Sequence, residues 1–149
     1  MLVLIQRVSQ AQVSVDQKTV GQINKGFLIF LGVVKGDTDK DLDYLVKKIT
    51  NLRIMADKNQ KMNLSLKDAD AQVLVISQFT LAANVKKGNR PSFINAADPA
   101  TGEKYYQMFI KGLEQNGLKV ATGQFGAYMK VDLTNDGPTT IIIDSKKDL

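Results

Sequence analysis

Three short segments of this sequence carry side chains that could do chemistry. They are the hydroxyl-rich run Ser77-Gln78-Phe79-Thr80, the basic stretch containing Lys86, Lys87 and Arg90, and the turn Asn135-Asp136-Gly137-Pro138-Thr139. Hydroxyls and free backbone amides can act on an ester, and cations can bind an anion. Each segment also has an ordinary structural explanation, which is given beside the functional one below.

The run from Ser77 to Thr80 stands where a strand is predicted to end. A serine or threonine nucleophile needs a neighbouring base, and the chain has no histidine and no cysteine. Covalent catalysis is therefore disfavoured, and so are disulfides and zinc sites built on imidazole or thiolate. What remains open is an oxyanion site made by backbone N–H groups at Phe79 and Thr80. The alternative is that these hydroxyls only satisfy local backbone groups.

The basic stretch lies in a part of the chain that has no acidic residue between Asp70 and Asp98. The whole chain has 20 Lys+Arg against 15 Asp+Glu, a formal charge of +5. Cations next to an aromatic ring such as Phe93 are typical of proteins that hold a nucleic-acid end. The alternative is a long loop that its charges merely keep solvated.

The turn before Thr139 is predicted to be a hairpin, since Asn-Asp-Gly is a strong hairpin signal. Pro138 then sets φ where the next strand begins. A cis Gly137-Pro138 bond would instead turn two carbonyl oxygens to one side and make an acceptor pair for an ammonium group. Only about 5–6% of X-Pro bonds are cis, so the residues alone do not favour this second interpretation.

The elements that carry these segments follow from apolar periodicity. Strands are predicted at Leu2 to Val15, Thr19 to Ile23, Gly26 to Val34, Val73 to Phe79, Leu118 to Ala121, Ala127 to Leu133 and Thr139 to Asp144, with a short one at Arg53 to Met55. Two helices are predicted, one after Thr38 with apolar positions from Leu42 to Leu52, and one from Asp98-Pro99 to Gly117. The fold class is α/β, a curved mixed sheet or barrel-like core with two main helices outside it, in one domain over residues 1–149.

The apolar runs are too short for a membrane-spanning helix, and Leu2 to Ile5 lacks the features of a signal peptide. We therefore expect no membrane association and a cytoplasmic location. The sequence also predicts no metal site and no cofactor.

Read together, the segments resemble one family. The motifs MLVLIQRVSQAQVSV, SQFTL, KKGNRPSF and FGAYMKVDLTNDGPTT look like those of the D-aminoacyl-tRNA deacylase family, in the same order and over essentially the whole chain. Each motif is weak alone, but four in order with similar spacing are a specific signal.

The resemblance implies a homodimeric, metal-independent enzyme that hydrolyses the ester between a D-amino acid and the 3′-terminal adenosine of tRNA. It also implies action on mischarged glycyl-tRNA and exclusion of L-aminoacyl-tRNA by a cis Gly137-Pro138 pair that reaches into the other subunit. The implied pocket residues are Ser77, Gln78, Phe79 and Thr80, the implied tRNA-binding residues are Lys86, Lys87 and Arg90, and the implied supporting residues are Arg7, Phe125 and Met129.

Two other functions compete with this one. A non-catalytic module that binds an RNA 3′ end would use the basic loop and the aromatic rings and would leave the Gly-Pro turn structural. A hydrolase of free amino-acid esters would act without the tRNA and with little salt dependence.

Overall fold

The computed structural model describes residues 1–148 and contains eight strands and three helices. The strands are β1 Leu2–Val15, β2 Lys18–Ile23, β3 Gly26–Gly32, β4 Met55–Ala56, β5 Met62–Leu64, β6 Gln72–Ser77, β7 Lys119–Thr122 and β8 Lys130–Asp144. The helices are α1 Asp39–Asn51, α2 Pro99–Gln115 and the short α3 Ser145–Asp148, and a 3₁₀ turn covers Phe79–Ala82. Among the described residues no helix is long and apolar enough to cross a bilayer.

The long strand β1 organises the sheet. It pairs antiparallel with β3 through its first half, with β2 through its second half, and with β8 along its opposite side. The tight turn from β1 to β2 has positive φ at Asp16 (47°) and Gln17 (64°), the backbone form that matches the twist of a two-residue hairpin.

Parallel strands occupy the middle of the sheet. β3 pairs with β6 and β6 pairs with β7, each pair being parallel. Alternate residues of β3 face opposite sides, so that Phe27 and Ile29 pack with the helices while Leu28 packs with Leu74 on the other face. The strand predicted to begin at Gly26 is thus a central strand that is buried on both faces.

The sheet curves until its two ends nearly meet. Gly21 of β2 lies so close to β7 that a Cβ atom there would be 2.3 Å from the carbonyl oxygen of Thr122. Only glycine allows this approach, and the contact brings the sheet close to a closed barrel. The predicted fold class, a curved mixed sheet with two main helices outside, is confirmed.

The helix ends match the signals in the sequence. Asp41 accepts hydrogen bonds from the backbone N–H (2.9 Å) and the hydroxyl (2.8 Å) of Thr38 at the start of α1. Asp98 accepts the N–H of Thr101 at 3.0 Å at the start of α2, and Gly117 follows the end of α2 with φ +79°.

The hairpin prediction at Asn135-Asp136-Gly137 is wrong. β8 is one strand whose two halves both pair antiparallel with β1, so the chain does not reverse. Between the pairs Val8↔Asn135 and Gln6↔Thr140, only Arg7 of β1 stands opposite residues 136–139, which bulge out of the ladder. Pro138 has no N–H to give to that ladder, which favours a bulge at this point.

Several strand boundaries also differ from the prediction: β3 ends at Gly32 and not at Val34, and β4 covers Met55–Ala56 and not Arg53 to Met55. The short strand β5 and the short helix α3 were not predicted. β6 ends at Ser77, and Phe79 begins the 3₁₀ turn instead of ending the strand. β8 begins at Lys130, three residues after the predicted start at Ala127.

Candidate active site

A cavity of about 510 Å³ opens where β6 ends, within the range of roughly 300–1,000 Å³ that is usual for small-molecule sites. Its walls come from the ends of β3 and β6, the start of α2, the loop before β8 and Val131 of β8. They are mostly apolar, and they include Leu31, Val33, Ile76, Ser77, Gln78, Phe79, Asp98, Tyr106, Phe125, Tyr128 and Met129. Of the predicted site residues, the cavity thus brings together Ser77, Gln78, Phe79, Phe125 and Met129.

The backbone changes direction at Gln78. Its N–H donates to the carbonyl oxygen of Leu31 at 2.8 Å, which continues the pairing of β6 with β3 for one more residue. The 3₁₀ turn then begins, and the first N–H groups of such a turn have no partner within it. Among the described residues, no backbone acceptor is observed for the N–H groups of Phe79 and Thr80, and Phe79 lines the cavity.

The hydroxyl of Thr80 has a side-chain partner but no base. Gln78 Nε2 donates to Thr80 Oγ1, and both side chains lie near the surface. A carboxamide does not take a proton from a hydroxyl, so this contact orients Thr80 without activating it.

Aromatic rings form one wall of the cavity. Tyr106 and Phe125 lie with ring centroids 5.8 Å apart, and the hydroxyl of Tyr106 donates to the carbonyl oxygen of Val75 at 2.9 Å. Burial raises the pKa of Tyr106 to about 12, so this phenol stays neutral at physiological pH. Tyr106 is a structural part of the wall and not a proton acceptor.

Met129 reaches the cavity because Gly123 leaves room for it. A Cβ atom on Gly123 would lie 2.6 Å from the sulfur of Met129. The glycine therefore lets the thioether pack close to the backbone of the loop before β8.

The basic residues do not line the cavity. Lys86, Lys87 and Arg90 are exposed in a loop closed by two backbone hydrogen bonds between Asn84 and Ser92, of 2.8 and 2.9 Å. Phe93, directly after this loop, meets Phe79 edge to face at 5.1 Å between ring centroids. The loop is thus tied to the cavity through one aromatic contact.

Gly137 and Pro138 are not among the residues that line the cavity of their own chain. The peptide bond between them is cis, and both residues are exposed. Their strand β8 contributes Val131 to the cavity, but Gly137 and Pro138 lie six and seven residues further along that strand.

Arg7 lies behind the bulge and contacts it directly. Its guanidinium is buried and donates to the carbonyl oxygen of Asp136 at 3.0 Å and to that of Ile54 at 2.8 Å. The carboxylate of Asp136 is 3.6 Å from the same side chain. Arg7 therefore supports the Gly137-Pro138 segment and not the cavity.

Most of the residues that line the cavity were not predicted as site residues, and two of these have polar side chains that bear on its chemistry. The sequence predicts Asp98 only as the start of the second helix and Tyr106 only as a residue within that helix, whereas both line the cavity. Their role in the cavity depends on where α2 begins relative to the end of β3, and no local sequence signal carries that information. In the part of the chain that the structure describes, no three acidic side chains converge into a metal-binding group.

Comparison with known proteins gives a consistent result. The family described as D-Tyr-tRNA(Tyr) deacylase matches residues 4–144. A D-aminoacyl-tRNA deacylase of Clostridioides difficile (strain 630) is 52% identical over 147 residues, covering 99% of both chains, and one of Persephonella marina is 56% identical over 146 residues, covering 98% of this chain and 99% of the other. The solved structure of a protein called c-Myc DNA Unwinding Element Binding Protein superposes with a TM-score of 0.90 at 38% identity, covering 97% of this chain and 98% of the other.

Proposed function

Because the chain belongs to the D-Tyr-tRNA(Tyr) deacylase family and has the activity of a D-aminoacyl-tRNA deacylase, we propose how its own residues carry that activity. The enzyme hydrolyses the ester of D-aminoacyl-tRNA in the cytoplasm, accepts glycyl-tRNA as well, and rejects L-aminoacyl-tRNA through Gly137 and Pro138 of a second copy. The observation that carries the proposal is that, within residues 1–148, no backbone acceptor is observed for the N–H groups of Phe79 and Thr80, which begin the 3₁₀ turn next to an aromatic cavity that Phe79 lines.

The cavity and its mouth suit the two ends of the scissile ester. The N–H groups of Phe79 and Thr80 stabilise the oxyanion that forms when water adds to the ester carbonyl carbon. The terminal adenosine occupies the apolar cavity, where the ring of Phe125 offers a flat surface to a base. Lys86, Lys87 and Arg90 bind the phosphates that lead away from it.

Proton transfer is assigned to the substrate. The chain has no imidazole or thiol. Tyr106 has a pKa of about 12, so it stays protonated and does not act as a base. The hydroxyl of Thr80 accepts a hydrogen bond from the carboxamide of Gln78, which is not a base. The 2′-hydroxyl of the terminal adenosine stands next to the ester and can pass a proton from the attacking water to the leaving 3′ oxygen. The products are the free amino acid and tRNA with its 3′-hydroxyl restored.

Chirality is read by a rigid main-chain clamp. The carbonyl oxygens of Gly137 and Pro138 from the second copy hold the α-ammonium while Phe79 and Thr80 hold the ester carbonyl. With both groups fixed, a D side chain points to open space and an L side chain meets backbone. Glycine has no side chain to reject, which explains its acceptance.

A homodimer is required by this arrangement and is supported by the surface of the chain. Gly137 and Pro138 are exposed and do not line the cavity of their own chain, so in this proposal they serve the cavity of another copy. An apolar row also crosses the open face of the sheet, where Leu4 pairs with both Phe30 and Ile142. Ile142 is 71% exposed, and an exposed apolar row of this kind marks a protein interface.

The test is to incubate the protein with D-Tyr-tRNA, L-Tyr-tRNA and Gly-tRNA and to follow loss of the ester. We expect rapid loss of the D and glycyl esters and at least about 100-fold slower loss of the L ester. Binding to tRNA without selective loss of the D ester would instead indicate an RNA-binding module. Equal hydrolysis of free D-tyrosine esters would indicate a small-molecule hydrolase.

A further inference from the structure

The exposed aromatic side chains of residues 1–148 gather at the cavity. This part of the chain contains six phenylalanines and four tyrosines, and of these only Phe79, Phe93 and Tyr128 are exposed. Phe79 and Tyr128 line the cavity, and Phe93 contacts the ring of Phe79. Exposed apolar surface that is gathered at one place marks a binding surface, whereas single exposed side chains scattered over a protein do not.

Tyr128 is the most exposed of these three residues. Its side chain is 87% exposed although it lines the cavity. Within residues 1–148 it takes part in none of the observed contacts between two rings or between a ring and a cation. Covering such a ring with a second flat surface is favourable, because both surfaces are then removed from water. The ring of Tyr128 is thus available to a flat group of a substrate.

The loop before β8 places Tyr128 close in sequence to the ring that the proposed function assigns to the terminal base. That ring belongs to Phe125, which is half-buried beside Tyr106. The chain turns here, since the N–H of Ala127 donates to the carbonyl oxygen of Gln124 at 3.2 Å. Three residues span about 11 Å at most, so Phe125 and Tyr128 are near enough to take two consecutive bases of a strand whose bases are splayed apart.

We propose that the ring of Tyr128 stacks on the base of the nucleotide that precedes the terminal adenosine. This inference rests on the proposed function, in which the adenine lies against Phe125 and the ester carbonyl lies at the N–H groups of Phe79 and Thr80. The aminoacyl group is then at the 3₁₀ turn, and the nucleotide is at the loop that carries Tyr128. Every base has a π-face, so this contact contributes affinity for the strand and does not read the identity of the base.

The test uses D-tyrosyl esters of three acceptors: adenosine, the dinucleotide CA, and a dinucleotide that keeps the sugar and phosphate of the cytidine but lacks its base. The two dinucleotides differ only in the base that Tyr128 is proposed to contact. We expect the natural chain to have about a tenfold lower KM for the CA ester than for the ester without the base, with kcat values within about twofold. The adenosine ester serves as a reference that lacks the whole nucleotide.

Tyr128→Ala should abolish this preference, so that the KM values of the two dinucleotide esters agree within about twofold, and it should leave hydrolysis of the adenosine ester unchanged. Tyr128→Phe keeps the ring and should keep the preference. Met62→Ala, which shortens another exposed side chain, in β5, is the control and should also keep it. Equal melting temperatures of the variants confirm that the fold is intact.

A fluorescent reporter gives a second measurement at the same position. The chain has no tryptophan, so Tyr128→Trp introduces a single one. Stacking predicts that the uncharged CA dinucleotide quenches its fluorescence and that the dinucleotide without the base does not. Equal quenching by both dinucleotides would contradict the stacking contact.

Two results would assign Tyr128 to a different partner and overturn the inference. If Tyr128→Ala raises KM for D-tyrosyl esters but not for D-alanyl esters of the same acceptors, the ring contacts the side chain of the amino acid. If Tyr128→Ala instead converts a dimer into a monomer in sedimentation experiments, the ring lies between copies of the chain.

The outcomes also separate this inference from the proposed function, because the affinities of the two uncharged dinucleotides measure the same preference without hydrolysis. Equal affinities in the natural chain, or a preference that survives in Tyr128→Ala, overturn the role of Tyr128 whether or not the esters are hydrolysed. A preference that depends on Tyr128, together with D-tyrosyl esters that stay intact, supports the inference and overturns the proposed hydrolysis.

Discussion

Arg7 donates from Nε to the carbonyl oxygen of Asp136 at 3.0 Å, across 129 positions of sequence. The same guanidinium donates from Nη1 to the carbonyl oxygen of Ile54 at 2.8 Å, and it is buried. A planar, permanently charged group with a forked set of donors is well suited to fix two backbone carbonyls at once. The residue before Gly137 is therefore anchored to the interior of the protein.

Replacing Arg7 by methionine should cost stability and selectivity together. The change keeps much of the side-chain volume but leaves two buried or half-buried carbonyl oxygens without donors. We expect about 2–4 kcal/mol of lost unfolding free energy in urea titrations and a smaller ratio of D to L ester hydrolysis. Arg53→Met is the control, because Arg53 makes one exposed bond to the carbonyl oxygen of Asn63 and should change stability by only about 0.5 kcal/mol. Equal losses in both variants would contradict the anchoring role of Arg7.

A side chain at position 137 should be poorly tolerated. Gly137 has φ +124°, and a Cβ atom there would lie 2.7 Å from Arg7 Nη2 and 2.9 Å from Thr139 Oγ1. Gly137→Ala should therefore displace Arg7 and reduce D-over-L selectivity more than it reduces binding of tRNA. Gly36→Ala is the matched control, since φ is +80° and nothing lies within 4 Å, so only the backbone cost of about 1 kcal/mol applies. Melting temperatures measure the effect on stability, and hydrolysis of the D and L esters measures the effect on selectivity. Full selectivity in Gly137→Ala would contradict the proposed role of the Gly137-Pro138 main chain in excluding L esters.

The order of strands and helices could be predicted because local signals agree with the fold. β1, β3 and α1 have clear apolar periods, and Thr38 and Asp98 mark helix starts. The error at residues 135–138 has a physical reason, because Asn-Asp-Gly favours a reversal only when the flanking strands pair with each other. Here both flanks pair with β1, a long-range choice that no local motif encodes.

Several residues of the site could be predicted from the sequence, but the contacts between them could not. The motifs identified Ser77 to Thr80 as a segment of interest, and the cavity beside it includes three of these four residues. That Arg7 contacts Asp136, or that Asp98 faces the cavity, depends on how distant elements pack. Such contacts arise from tertiary structure, so the sequence of a single chain does not determine them by inspection.

Neutralising the basic loop should weaken tRNA binding through charge alone. The double variant Lys86→Ala/Lys87→Ala removes two exposed cations from the loop between Asn84 and Ser92. Each lost phosphate contact should reduce the magnitude of the slope of log affinity against log salt concentration by about 0.7–0.9. The slope of the double variant should therefore be smaller in magnitude by up to about 1.4–1.8. The exposed pair Lys18→Ala/Lys25→Ala has the same change in net charge and should keep the slope. Identical slopes for both double variants would exclude a specific role of the loop.

Acid should unfold the protein partly through Asp41. This carboxylate is 1% exposed. Burial alone would raise the pKa of Asp41, but hydrogen bonds from Lys146, Ser145 and Thr38 outweigh it and hold the pKa well below its usual range. A depressed folded pKa stabilises the protein above the unfolded value of about 3.9, and that stability is lost as pH falls below it.

Asp41→Asn should therefore cost about 2 kcal/mol of unfolding free energy at pH 7 and progressively less as the pH falls below about 4. Urea unfolding at a series of pH values measures this convergence. Asp43→Asn, on the exposed side of the same helix, is the control, and its unfolding free energy should depend on pH nearly as that of the natural chain does. A constant difference between Asp41→Asn and the natural chain down to about pH 2 would show that the carboxylate charge is not responsible.

The division of labour between protein and substrate can be tested at Thr80 and at the terminal ribose. Thr80→Val keeps the shape of the side chain and removes only the hydroxyl that Gln78 contacts, so we expect less than a tenfold fall in kcat/KM. A D-tyrosyl ester of tRNA ending in 2′-deoxyadenosine lacks the proposed proton relay and should react about 10²–10⁴-fold more slowly. Single-turnover hydrolysis of both substrates by both proteins measures these effects independently.

Three results together would identify Thr80 as the nucleophile. Thr80→Val would be inactive, Thr80→Ser would restore the rate, and an acyl ester would be trapped on the hydroxyl. If the deoxy substrate reacts at the full rate, the protein supplies the proton path, and a group other than the 2′-hydroxyl has to be sought at the mouth of the cavity.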